Sequence, residues 1–81
     1  MKVRILFFAR LRELAGCEAM EMELPEGSTI GDLWHDLQQR LDALAGFRTP
    51  PLMALDEQYA GVDTELTEGS EIALFPPVSG G

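Results

Sequence analysis

The chain has 81 residues, 46% of them hydrophobic and 25% charged, so it holds one small domain with a single core and lies far from the composition of disordered chains. Six Lys and Arg against fourteen Asp and Glu leave a formal charge of −8, which a phosphate backbone or an anionic membrane would repel; neither nucleic acid nor membrane is an expected partner, and a basic protein stays open. The lone Cys17 cannot close an internal disulfide, and no apolar run nears a signal-peptide core or the ~20 residues of a membrane span, so the chain is read as soluble, unprocessed at its start and cytoplasmic.

Residues 2–8 (KVRILFF) are β-branched, aromatic and free of Gly and Pro, which predicts a strand buried on at least one face. Residues 10–15 (RLRELA) predict one or two helical turns ended by Gly16. Met20, Met22 and Leu24 alternate with Glu21 and Glu23, the period of a second strand with one wet face, and Pro25, Glu26 and Gly27 make a turn. Ile30, Leu33, Trp34, Leu37, Leu41 and Leu44 recur at three- and four-residue spacing and predict the main helix, opened by Thr29 with Asp32 as a variant capping box and stopped by Gly46 and Pro50-Pro51. Residues 52–55 and 59–62 are read as short strands, and a turn at Glu68-Gly69-Ser70 leads into a last strand over 71–75. One amphipathic helix packed across a small mixed sheet is an α+β arrangement, the β-grasp or ubiquitin-like architecture, over residues 1–75 with a tail over 76–81.

Enzyme constellations are sparse. His35 has no Ser, Cys or Asp placed by spacing to serve it, and Asp32 and Asp36 share a helix face without further ligands, so no metal site is expected. Gly27, Gly31 and Gly46 form no phosphate cradle. Cys17 follows a helix-ending glycine with only Glu18 close in sequence and no cation beside it to activate a thiol, and is read as a structural thiol.

The informative segment is Pro76-Pro77-Val78-Ser79-Gly80-Gly81, directly after the last strand. Two prolines lack N–H groups, end strand pairing and hold the chain extended. Six residues at ~3.3 Å each reach about 20 Å, far enough to enter another protein's active site. The last two glycines carry no Cβ, so they can follow a narrow channel and leave the terminal carboxyl carbon open to attack.

The start, Phe7 to Gly16 (FFARLRELAG), and the end, Phe75 to Gly81 (FPPVSGG), together with TIGDLW over 29–34 and LTEGSEI over 66–72, resemble the small subunits of molybdopterin synthase, a family of ubiquitin-like sulfur carriers. Ser70 departs from the acidic residue common after the glycine in that family, and residues 42–64 match no motif. The resemblance implies a cycle on Gly81: an adenylating enzyme related to ubiquitin-activating enzymes joins the carboxylate to AMP from ATP, and a sulfur donor converts the acyl-AMP to a thiocarboxylate. The tail, Pro76 through Gly80, then enters the large subunit and Gly81 gives sulfur to cyclic pyranopterin monophosphate. It also implies a heterotetramer of two small and two large subunits, no permanently bound cofactor, and no catalysis by this chain alone. Strand alternation adds a partner surface: with Val3, Ile5, Phe7, Ile72 and Leu74 facing the helix, Leu6, Phe8 and Phe75 face outward as an apolar patch beside the tail. Arg12 is a candidate to pair with an acid on a partner. Alternatives are a thiamine-pathway sulfur carrier, which shares the fold and the Gly-Gly end but usually lacks FPPVSGG, a ubiquitin-like modifier that joins Gly81 to lysines, and a binding module with a frayed tail.

Overall fold

A computed structural model of the chain describes residues 1–76. The β-branched and aromatic run forms β1 (Lys2–Phe7), followed by the short helix α1 (Arg10–Ala15), β2 (Ala19–Glu23), the main helix α2 (Ile30–Arg40), a 3-10 turn at Asp42–Leu44, β3 (Leu52–Leu55), β4 (Gln58–Tyr59) and β5 (Glu71–Phe75). These strands make one mixed sheet in the order β2-β1-β5-β3-β4, with β1 and β5 parallel and every other pair antiparallel. A five-stranded mixed sheet with a helix laid across one face is the expected β-grasp.

The period-2 pattern of β1 puts Val3, Ile5 and Phe7 inward, each at most 2% exposed, and Ile72 and Leu74 of β5 join them at 0%. They meet the α2 stripe of Ile30, Leu33, Trp34 and Leu37, so the helix and the inner sheet face cover each other. Each such side chain is worth about 1.5–3 kcal/mol of burial. Gly16 caps α1 in the left-handed conformation at φ 79°, its N–H donating to the Arg12 carbonyl at 2.9 Å. At the start of α2 the Thr29 hydroxyl accepts from the Asp32 N–H at 3.2 Å, and an Asp32 carboxylate oxygen accepts from the Thr29 N–H at 2.9 Å, so the variant capping box is closed on both sides. The Ile30 and Gly31 N–H groups donate to the carbonyls of Thr64 and Val62, both at 2.9 Å, so the segment before β5 caps the helix as well.

Two elements differ from expectation by more than a single residue. The helix ends at Arg40 rather than Leu44, because Leu41 is extended and the Gln38 amide donates to the Leu44 and Phe47 carbonyls at 3.0 Å each, holding a 3-10 turn that still delivers Leu44 to the core. The strand expected over 59–62 is instead Gln58–Tyr59, the short return of a hairpin turning at Asp56 and Glu57, both at positive φ (47° and 74°). Beyond Tyr59 the chain leaves the sheet to reach α2.

Candidate functional site

The outward residues of β1, β5, β3 and β4 build the site. Leu6 pairs with Ala73, Ala73 with Ala54, and Ala54 with Tyr59, so these four lie side by side across the outer face. Nearer the tail, Phe8 and Phe75 stack with ring centroids 4.8 Å apart and planes 11° from parallel, and Tyr59 meets Phe75 edge-on at 6.4 Å. The three expected patch residues are therefore brought together, with Leu6 and Phe75 half-buried and Phe8 40% exposed. Around them opens a hollow of about 420 Å³ lined by Leu6, Phe8, Ala54, Tyr59, Ala73 and Phe75, with the carboxylate-bearing Glu57 and Glu71 also on its wall. Tyr59 and Ala54 were absent from the expected patch; they arrive through the β3–β4 hairpin, whose register no residue pattern announces.

Phe75 closes β5 and Pro76, half-buried, begins the exit, so the chain leaves the sheet beside the stacked rings. Pro77, Val78, Ser79, Gly80 and Gly81 lie outside the described residues. Arg12 sits on α1 with its guanidinium 3.4 Å from the Glu18 carboxylate of the same chain, both side chains exposed. Cys17 is half-buried and packs against the core cluster. His35 is exposed on α2 with its ring nitrogen 3.0 Å from the Gln39 amide, and Asp36 pairs with Arg40 at 3.3 Å. Among the described residues no group of three His, Cys, Asp or Glu side chains is placed to hold a metal, and no helix is long and apolar enough to cross a membrane. The described surface thus offers an aromatic face and a chain exit, and no assembled set of reacting side chains.

A profile of the ThiS family matches residues 5–81, nearly the whole chain. The chain belongs to the ThiS family. Within it, the molybdopterin synthase sulfur carrier subunit of Escherichia coli (strain K12) is 37% identical over 81 residues, spanning 98% of this chain and 99% of that one. The subunit of the same name from Arabidopsis thaliana is 32% identical over 81 residues, 100% of this chain and 84% of that one. Among solved structures, the putative molybdopterin converting factor subunit 1 of Pyrococcus furiosus superposes with a TM-score of 0.88 at 32% identity, covering 96% of this chain and 99% of that one. The small archaeal modifier protein 1 of Haloferax volcanii superposes with a TM-score of 0.83 at 25% identity, covering 95% and 98%. The resemblance to molybdopterin synthase small subunits and the ubiquitin-like fold it implies both hold.

Proposed function

We propose that this ThiS-family chain is the sulfur-carrying small subunit of molybdopterin synthase, with Gly81 as the carrier atom's site and the outer sheet face as the docking surface. The observation that carries the reading is the exit of the chain from β5 at Pro76 beside the stacked Phe8–Phe75 pair, in a sequence that ends FPPVSGG and aligns over almost its full length with subunits of that name. A carboxylate is a poor electrophile until its oxygen becomes a good leaving group. Adenylation supplies that: the Gly81 carboxylate attacks the α-phosphorus of ATP, pyrophosphate leaves, and the acyl-AMP is opened by sulfur with loss of AMP. The thiocarboxylate is ionised at neutral pH and nucleophilic without any cysteine. Each carrier delivers one sulfur to cyclic pyranopterin monophosphate, so a dithiolene takes two deliveries. The groups that hold that anionic substrate belong to the large subunit, because the acidic surface here repels it.

The test is the intact mass of the protein after incubation with its adenylating enzyme, ATP and a sulfur source. Replacement of one terminal oxygen by sulfur is expected, and a mass that stays at the unmodified value overturns the reading. A second reading, covalent modification of other proteins, draws on the likeness to the small archaeal modifier protein 1. It predicts Gly81 joined to lysine amines across many cellular proteins, which the carrier reading does not.

A further inference from the structure

The outer face of the sheet is ordered in rows. At its centre Ala73 and Ala54 pair across β5 and β3, and their methyls are too short to fill the space between their neighbours. Two residues towards the tail stands Phe75, and two residues the other way stands Glu71, with Glu57 beside it on the β3–β4 turn. The backbone beneath them is fastened: the Asp56 carboxylate accepts from the Glu71 N–H at 3.1 Å, and the Asp56 N–H donates to the Glu71 carbonyl at 2.9 Å, which ties the turn to β5. The ion pairs among the described residues are Arg10–Glu13, Arg12–Glu18 and Arg40–Asp36, so neither Glu57 nor Glu71 has a cation of its own, although Arg4 neighbours Glu71 in the register. The hollow is therefore aromatic at one end, small and apolar on its floor, and anionic at the other end.

We propose that this hollow receives a guanidinium side chain, an arginine presented by a partner protein, with its stem over Ala54 and Ala73 and its charge on Glu57 and Glu71. The inference rests on the reading of the outer face as a docking surface and names what that surface selects. A guanidinium is planar and weakly hydrated and offers a fork of N–H donors that matches carboxylates, while the methylene stem behind it covers the small apolar floor, so one side chain serves the floor and the anionic end together. An ammonium holds its water more tightly and lacks the fork. An aliphatic side chain would fill the floor but strip water from two carboxylates and leave them unpaired, which costs free energy. The formal charge of −8 draws a cationic partner towards the molecule as a whole.

The experiment is a titration of the ¹⁵N-labelled full chain with N-acetyl-arginine amide, followed at the backbone amides of Ala54, Ala73 and Phe75, with the lysine and leucine amides run in parallel. Arginine is expected to give saturable shifts at those amides, to bind tighter than lysine and leucine, and to weaken about fivefold in the Glu57→Gln/Glu71→Gln double variant, as two solvent-accessible ion pairs would imply. In the wild-type chain, raising salt is expected to weaken arginine and leave leucine unchanged. Leucine binding as tightly as arginine, arginine shifting none of these amides, or salt-independent arginine binding overturns the proposal. Sulfur transfer does not enter this readout, so a carrier that fails to form a thiocarboxylate leaves the inference standing, and a working carrier does not rescue it.

Discussion

Ala9 carries an unfavourable backbone conformation. At φ 53° and ψ −127° it occupies a region that a Cβ disfavours, in a turn closed by the Leu11 N–H donating to the Phe8 carbonyl at 3.1 Å. That turn redirects the chain from β1 into α1 while Phe8, whose N–H donates to the Leu74 carbonyl at 3.1 Å, stays over β5 to stack on Phe75. Ala9→Gly removes the steric cost and adds freedom to the unfolded chain, two effects of opposite sign. The strain is the larger, so the variant is expected to be about 1 kcal/mol more stable by urea denaturation. Cys17 is the opposite case, a reactive residue type in an inert setting. Because its thiol packs against the core, Cys17→Ala is expected to cost about 1 kcal/mol of stability and to leave thiocarboxylate formation, read by intact mass, at the wild-type level. Loss of that product in a folded variant would make the thiol a carrier of sulfur.

At the scale of elements, α2 depends on its first turn. Thr29→Ala removes one half of the capping box and is expected to lower stability by about 1 kcal/mol, seen as a lower urea midpoint at unchanged slope. Gly31 allows the close approach beside it: a Cβ there would lie 3.1 Å from the Val62 carbonyl oxygen, the acceptor of its own N–H. The capping box was legible in Thr29 and Asp32, and the inner face was legible in the alternation of Val3, Ile5, Phe7, Ile72 and Leu74, because both signals are local and periodic. The end of α2 was not. Spacing of three and four continues through Leu44, and only the long-range reach of the Gln38 amide to the Leu44 and Phe47 carbonyls shows that the last step is a 3-10 turn. The hairpin escaped for a similar reason, since Asp56 and Glu57 adopt positive φ without the Asn-Gly or Asp-Gly pair that usually marks such a turn. Tyr59 therefore stayed hidden as a wall of the hollow, while Leu6, Phe8 and Phe75 could be read from strand parity alone.

For the molecule as a whole, the proposed function assigns docking to the sheet face and reaction to Gly81, and two variants tell the two roles apart. Phe75→Ala removes a ring that stacks on Phe8 and meets Tyr59, so it is expected to weaken large-subunit binding by about 1–4 kcal/mol if that ring is a buried anchor. The tail is untouched, so saturating the large subunit with thiolated carrier restores dithiolene formation. Circular dichroism of the free variant establishes that the fold survives the lost contacts. Deleting Gly81 moves the terminal carboxyl carbon back to Gly80, about 3.3 Å short of its station in the partner, and leaves the sheet face intact, so folding and affinity are expected to stay close to wild type while product disappears. A tail that mainly added binding energy would behave like Phe75→Ala and recover at high concentration, because excess carrier offsets a raised dissociation constant. A tail that carries the reacting atom cannot recover, since every complex formed holds its terminal carbon one residue out of place. The assay titrates each carrier against a fixed amount of large subunit with the cyclic precursor in excess. Full product from the Gly81 deletion at saturation would remove the chemical role of the tail, and unchanged affinity in Phe75→Ala would remove the aromatic face from the interface.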